Sequence, residues 1–285
     1  MKLVKGTDLL YHALENQYAV GAFSIHTAEM VKGVLAAAEE EKAPIMLQIG
    51  QRAIRNSGFK TLINYIHHFG HQVSIPVSIH LDHGNSFEQV MVALQQGCTS
   101  VMFDGSHRPL ETNIAITKQV VQAAHACGVS VEAELGKIAG VEDDLSVDEK
   151  DAFYTDPEEA LYFYQETGVD SLAVAIGSAH GLYKQEPKLD LARLNQIYQA
   201  IRIPIVLHGG SGIPAEQIRE AIPLGISKIN VDTELRAAYT EGLKASLEER
   251  GSSLDPYRYQ LDAEERMKEI VRQKIRVFQS NNQVR

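Results

Sequence analysis

Three histidines each stand directly before a glycine: His83-Gly84, His180-Gly181 and His208-Gly209. They lie 97 (180 − 83) and 28 (208 − 180) residues apart. Imidazole is a good zinc ligand, and three protein ligands leave one coordination position open for a substrate oxygen. No short metal motif joins the three, so only a fold that gathers distant strand ends could make them one site. Asp82 is next to His83 and is a candidate acid–base group. Its bland alternative is a helix cap or an Asx-turn. Adjacent side chains on a strand point to opposite faces, so Asp82 and His83 serve one site only where the strand ends. Asp104 and Glu134 could stand behind the imidazoles or form a second or alternative metal site. His12, His67, His68, His71 and His125 fall in helical segments and read as ordinary packed or surface histidines, while His26 and His107 lie in loops and stay open. The run His208-Gly209-Gly210-Ser211-Gly212-Ile213-Pro214 is a small-residue turn before a helix start. Such a turn presents backbone N–H groups to an anion such as phosphate.

The elements that must position these residues repeat along the chain. Eight short, β-branched runs read Ala19–Phe23, Ile45–Ile49, Val77–Leu81, Ser100–Phe103, Val129–Glu134, Ser171–Ile176, Ile205–His208 and Lys228–Val231. They hardly alternate, as strands buried on both faces should. Amphipathic helical segments separate them. One carries Phe87, Val90, Met91 and Leu94 and stops at Gly97; another starts at Thr27, a predicted N-cap. Eight βα units with no linker predict an α/β protein, a (β/α)8 TIM barrel spanning 1–285 as one domain with an extra C-terminal helix. A doubly wound sheet is the alternative, weakened because no GxGxxG follows the first strand. In a barrel, chemistry sits at the C-terminal ends of strands, and six of the eight runs deliver His, Asp or Glu there. Two stretches break the repeat. Gly136–Thr155 is a long acidic connection, and Asp255–Arg285 carries Met267, Ile270, Val271, Ile275 and Phe278 on one stripe that could cap the barrel or meet a partner subunit.

The chain has 285 residues, 27 Lys+Arg against 37 Asp+Glu, a net charge of −10, two Cys and no Trp. That length suffices for a large core without disulfides or structural metal. The acidic balance argues against a nucleic-acid partner. Cys98 and Cys127 lack CxxC spacing and read as thiols in a reducing compartment. No signal-like or membrane-spanning run is visible, so no membrane partner and a cytoplasmic location are expected.

His80-Leu81-Asp82-His83-Gly84, Asp104-Gly105-Ser106-His107, Val131-Glu132-Ala133-Glu134-Leu135-Gly136, His208-Gly209-Gly210-Ser211-Gly212 and Asn230-Val231-Asp232-Thr233 occur in that order. With them the chain resembles, nearly end to end, the class II ketose-bisphosphate aldolases, the zinc-dependent fructose- and tagatose-1,6-bisphosphate enzymes. The resemblance implies reversible cleavage of a ketose 1,6-bisphosphate to dihydroxyacetone phosphate and glyceraldehyde 3-phosphate in carbohydrate metabolism, in a homodimer or homotetramer. It implies one Zn2+ per subunit on His83, His180 and His208, polarising the ketose carbonyl and stabilising the ene-diolate. It makes Asp82 the group that takes the C4 hydroxyl proton and Glu142, on the long acidic connection, the one that exchanges the proton on carbon. Gly181, Gly209, Gly210, Ser211, Asn230, Val231, Asp232 and Thr233 are then expected to hold the dihydroxyacetone phosphate half, with a monovalent cation (Na+ or K+) nearby.

The distal end of the substrate is less uniform. The acidic run Val141–Asp148 is similar to the tagatose branch, whereas Asp232 stands where the fructose enzymes carry an acid. Arg236, one helical turn on, is placed to bind the C6 anion. The segment Gln48–Arg55 departs from both branches, and its Arg52 and Arg55 could grip another distal group, such as a sulfonate in 6-deoxy-6-sulfofructose 1-phosphate. A Schiff-base aldolase needs a lysine on an inner strand; the sixth run has none, and Lys228 on the eighth is a poor candidate. A non-catalytic sugar-phosphate binder is the remaining alternative, and it has no need of Asp82 or Glu142.

Overall fold

A computed structural model describes residues 1–142, 145–147, 153–181, 183, 185–251 and 253–284, with backbone alone for 139, 141–142 and 145–147. Eight parallel strands close on themselves: β2 (Val20–Ser24), β3 (Ile45–Ile49), β4 (Pro76–Gly84), β5 (Ser100–Phe103), β6 (Ser130–Leu135), β9 (Ser171–Val174), β11 (Ile205–Leu207) and β12 (Ile226–Val231). Their order is β4-β3-β2-β12-β11-β9-β6-β5, and β4 pairs with β5 to complete the ring. Apart from the first residue of β4, every residue of these strands is buried, which is why the sequence runs were apolar without alternating. β1 (Lys2–Leu3) adds a short parallel pairing at the foot of β4.

The barrel is the predicted one, with strand ends shifted by up to three residues. Helices α1 (Gly6–Glu15), α2 (Ala28–Glu40), α3 (Gln51–Ser57), α4 (Phe59–Gly70), α5 (Phe87–Gln95), α6 (Leu110–Ala126), α7 (Pro157–Thr167), α8 (Leu191–Ile201), α9 (Ala215–Ala221) and α10 (Thr233–Arg250) surround it. Thr27 caps α2 as expected, its Oγ1 accepting from the Met30 N–H at 3.3 Å.

The two irregular stretches find different uses. The long connection after β6 is not structureless: β7 (Ala139–Glu142) and β8 (Leu145–Val147) form an antiparallel hairpin, and β10 (Ala179–His180) joins β7 in parallel. The C-terminal helix α11 (Pro256–Val277) is shorter than Asp255–Arg285, with Asp255 as its cap. Its stripe of Met267, Val271, Ile275 and Phe278 is buried within this chain, against α2 and α10. Ion pairs Arg272–Glu40 (2.8 Å) and Arg276–Glu41 (2.6 Å) line the seam. The stripe therefore belongs to the barrel wall and is not left for a partner. Among the described residues no helix is long and apolar enough to cross a membrane.

Candidate active site

The end of β4 resolves the conflict between Asp82 and His83. Pairing with β5 slips between Leu81 and Gly84, and His83 takes φ +46°, which a non-glycine residue rarely adopts. That break in alternation lets two consecutive side chains enter one cleft. His180 comes from β10 and His208 from the end of β11. The three rings pack at centroid distances of 4.8 Å (His83–His208), 5.4 Å (His83–His180) and 5.8 Å (His180–His208). One nitrogen from each lies within 4.8 Å of the others.

Buried carboxylates stand behind the rings. His83 Nδ1 is 2.8 Å from Asp104 Oδ2, and His208 Nε2 is 2.9 Å from Glu132 Oε1. Burial alone would raise the Asp104 carboxyl, but hydrogen bonds from His83 and Ser106 hold it well below the usual carboxylate range. Glu132 is likewise held low against burial by Lys228 and His208. For His208, burial opposes charge, yet Glu132 and Glu134 outweigh it and raise its pKa to about 9. At His208 the two carboxylates thus offset the cost of burying a positive charge. His208 Nδ1 is buried with no hydrogen-bond partner among the described residues; Glu134 Oε2, at 3.3 Å, lacks hydrogen-bond geometry. A polar atom buried in that way is costly unless a partner meets it. Three clustered imidazole nitrogens, with carboxylates behind His83 and His208, are the donor set that a zinc-like ion takes. His83, Asp104 and Glu134 form a second group with ligand atoms equally close, so the alternative grouping expected from sequence is geometrically present.

Asp82 is buried beside this group. Its Oδ1 accepts from Gln48 Nε2 at 2.9 Å and from Asn230 Nδ2 at 3.3 Å. His180, Gly181, Gly209, Ser211, Asn230, Asp232 and Thr233 line one adjoining cleft. Gly209 has φ +67°, and a Cβ there would lie 2.2 Å from the Ala179 carbonyl oxygen, so only glycine fits. Two expected phosphate contacts are placed otherwise. Gly210 donates its N–H to the Asn230 carbonyl (3.0 Å), and Val231 is buried in the wall. The Gly212 N–H points to Glu234 Oε1 (2.9 Å), so it is not an open donor for an anion either.

At the outer rim, Asp232 is shared: His26 Nε2 lies 2.8 Å from Oδ1, and Arg236 Nε donates to Oδ2 at 2.7 Å. Arg52 and Arg55 sit on α3, whose Ser57 donates to the His26 carbonyl (2.7 Å). Glu142 lies on β7; its side chain lies outside the described residues, as do the other side chains of Val141–Asp148 and the whole of Asp143, Asp144 and Asp148.

Gln48 and Glu132 are site residues that no sequence motif singles out, and Lys228, in sequence a poor Schiff-base candidate, belongs with them. Lys228 is fully buried and its ammonium contacts both Glu132 oxygens. Strand alternation was the available signal. Residues two apart share a face, so His80 accompanies Asp82, Glu132 accompanies Glu134, and Lys228 accompanies Asn230.

The comparisons with known proteins agree with this geometry. Residues 4–283 match the family model described as fructose-bisphosphate aldolase class-II. The sulfofructosephosphate aldolase of Alkalicoccus urumqiensis is 47% identical, with 100% of this chain and 99% of that one covered. The fructose-bisphosphate aldolase of Geobacillus stearothermophilus is 46% identical, covering 99% and 98%. Among solved structures, the YdjI aldolase from Escherichia coli K12 superposes with a TM-score of 0.88 at 35% identity, covering 99% and 100%. The chain belongs to the class II fructose-bisphosphate aldolase family and is an aldolase, a carbon–carbon lyase.

Proposed function

We propose that the protein catalyses reversible zinc-dependent cleavage of a ketose 1,6-bisphosphate, fructose or tagatose, to dihydroxyacetone phosphate and glyceraldehyde 3-phosphate. The observation that carries this reading is the cluster of three imidazoles, with buried carboxylates behind His83 and His208, next to Asp82. His83, His180 and His208 would hold the ion, which when bound supplies Lewis-acid polarisation of the ketose carbonyl. Asp82, oriented by Gln48 and Asn230, removes the C4 hydroxyl proton. The C3–C4 bond breaks, the aldehyde forms at C4, and the electron pair passes to the three-carbon half. Glu142 then delivers a proton to that carbon. Gly181, Gly209, Ser211, Asn230 and Thr233 line the place for the 1-phosphate, while Gly210 shapes the turn beside it and Val231 the strand wall beneath. Na+ or K+ beside that phosphate belongs to the same reading.

Arg236 is the residue for the C6 anion, with its Nε tied to Asp232 and the rest of the guanidinium available for an oxyanion. A second reading keeps the chemistry and replaces the 6-phosphate with a sulfonate. It is supported by Arg52 and Arg55 on the rim helix and by the relative named sulfofructosephosphate aldolase.

The test is a retro-aldol panel of fructose and tagatose 1,6-bisphosphates with the 6-sulfo and 6-deoxy ketose 1-phosphates. The expected best substrate carries a C6 anion. Sulfonate over phosphate favours the second reading, and preference for an uncharged C6 refutes the role given to Arg236.

A further inference from the structure

Lys228 lies on β12 inside the barrel with no solvent exposure, and the mechanism above does not use it. Its ammonium has three hydrogens and no acceptor capacity. The surroundings take all three: Glu132 Oε1 at 3.0 Å, Glu132 Oε2 at 2.8 Å and His80 Nε2 at 3.4 Å. Because His80 Nε2 faces an ammonium, it must be the accepting nitrogen. Its Nδ1 then carries the hydrogen and donates to Ser100 Oγ at 2.8 Å. On the other side, the ionised Glu132 carboxylate can only accept. His208 Nε2 must therefore carry the hydrogen it shares with Glu132 Oε1, which leaves Nδ1, buried with no hydrogen-bond partner among the described residues, as the ligand nitrogen. Hydrogen counting runs without a gap from Ser100 to His208, across five strands, β5, β4, β12, β6 and the end of β11.

We propose that Lys228 is a positioning residue: acting through Glu132, its ammonium fixes His208 in the orientation and tautomer that hold the metal. The inference rests on the zinc reading of the histidine trio. Without the ammonium that holds both of its oxygens, the Glu132 carboxylate is no longer fixed in place, and its grip on His208 loosens. The groups that orient a metal-bound imidazole typically change metal affinity by about 10–100-fold when lost. Lys228 makes no contact with the ring itself, so its effect must pass through Glu132.

The experiment measures zinc affinity, by competition with a chromophoric chelator, and the visible spectrum of the cobalt-substituted protein. It compares wild type, Lys228→Met, Glu132→Gln and the double variant, with Met267→Ala on α11 as a control for lost packing alone. Lys228→Met is expected to weaken zinc binding about 10–100-fold and to alter the cobalt spectrum, whereas Met267→Ala changes neither. The double variant is expected to bind no worse than Glu132→Gln, because Lys228 acts through that residue. Wild-type affinity and spectrum in Lys228→Met, or losses that multiply in the double variant, overturn the proposal. If Lys228→Met does not fold, Glu132→Gln against the double variant decides: equal affinity supports the inference, and a further loss overturns it. A wild-type chain that binds no zinc, or that binds it equally well as His180→Ala, refutes the zinc reading itself.

Discussion

At the histidine end of the cleft, His208 and Glu132 are 0% and 1% exposed, and every carboxylate behind the rings is buried. At the outer rim, His26, Asp232 and Arg236 form a chain of similar contacts with 16%, 12% and 31% exposure. The contact distances are alike, from 2.7 to 2.9 Å, yet their consequences differ. In the barrel interior an ion pair is little screened, and removing one partner leaves an uncompensated charge. At the rim, water and salt soften the same loss. Bond making needs groups that hold one geometry, and the interior supplies them. Choice among substrates needs groups that can be exchanged without unfolding the barrel, and the rim supplies those.

Substitutions at the two ends should separate accordingly. His180→Ala is expected to lose the bound metal and to lower kcat/KM by about 10⁴-fold or more, since the ion contributes several kcal/mol of charge stabilisation. Elemental analysis alongside a coupled assay checks both. Asp82→Asn should lower kcat by about 10²–10⁴-fold, the usual value of one positioned proton transfer, while metal content stays at wild type. Loss of metal in that variant would make Asp82 a ligand and blur the division within the interior.

Arg236→Met should lower kcat/KM by about 10–100-fold for a substrate with a C6 anion, as expected for one charge-assisted hydrogen bond. It should leave the 6-deoxy analogue nearly unchanged. Equal loss on both substrates would place Arg236 with the structural groups and break the comparison. Met267→Ala, far from either end, is expected to cost about 2–5 kcal/mol of stability by cavity formation. Denaturant midpoints fall in that case while KM and kcat hold.

The barrel was legible because its strands are buried on both faces and its helices carry one apolar stripe each. Ile45–Ile49 and Ser100–Phe103 were read to the residue. The histidine trio was legible once the barrel was in place, since topology brings residues 97 and 28 positions apart to one rim. What sequence reading could not supply was local backbone geometry. Ideal alternation set Asp82 against His83, and only the slip after Leu81, with the positive φ of His83, reconciles them. The family resemblance puts Gly210 and Val231 among the substrate contacts because both lie inside matched motifs. Hydrogen bonding turns one into the loop and packing turns the other into the wall. Glu132 was passed over beside Glu134 because no single-residue pattern reveals its partners on β11 and β12.

The central claim is that the three histidines hold a metal required for aldol cleavage. Retro-aldol turnover of a ketose 1,6-bisphosphate, measured on protein stripped by a chelator and again after stoichiometric zinc is restored, tests it most directly. Turnover is expected to disappear on stripping and to return with one equivalent of zinc per chain in the wild type but not in His208→Ala. Full turnover in the stripped protein, with substrate trapped on it by borohydride, would contradict the claim.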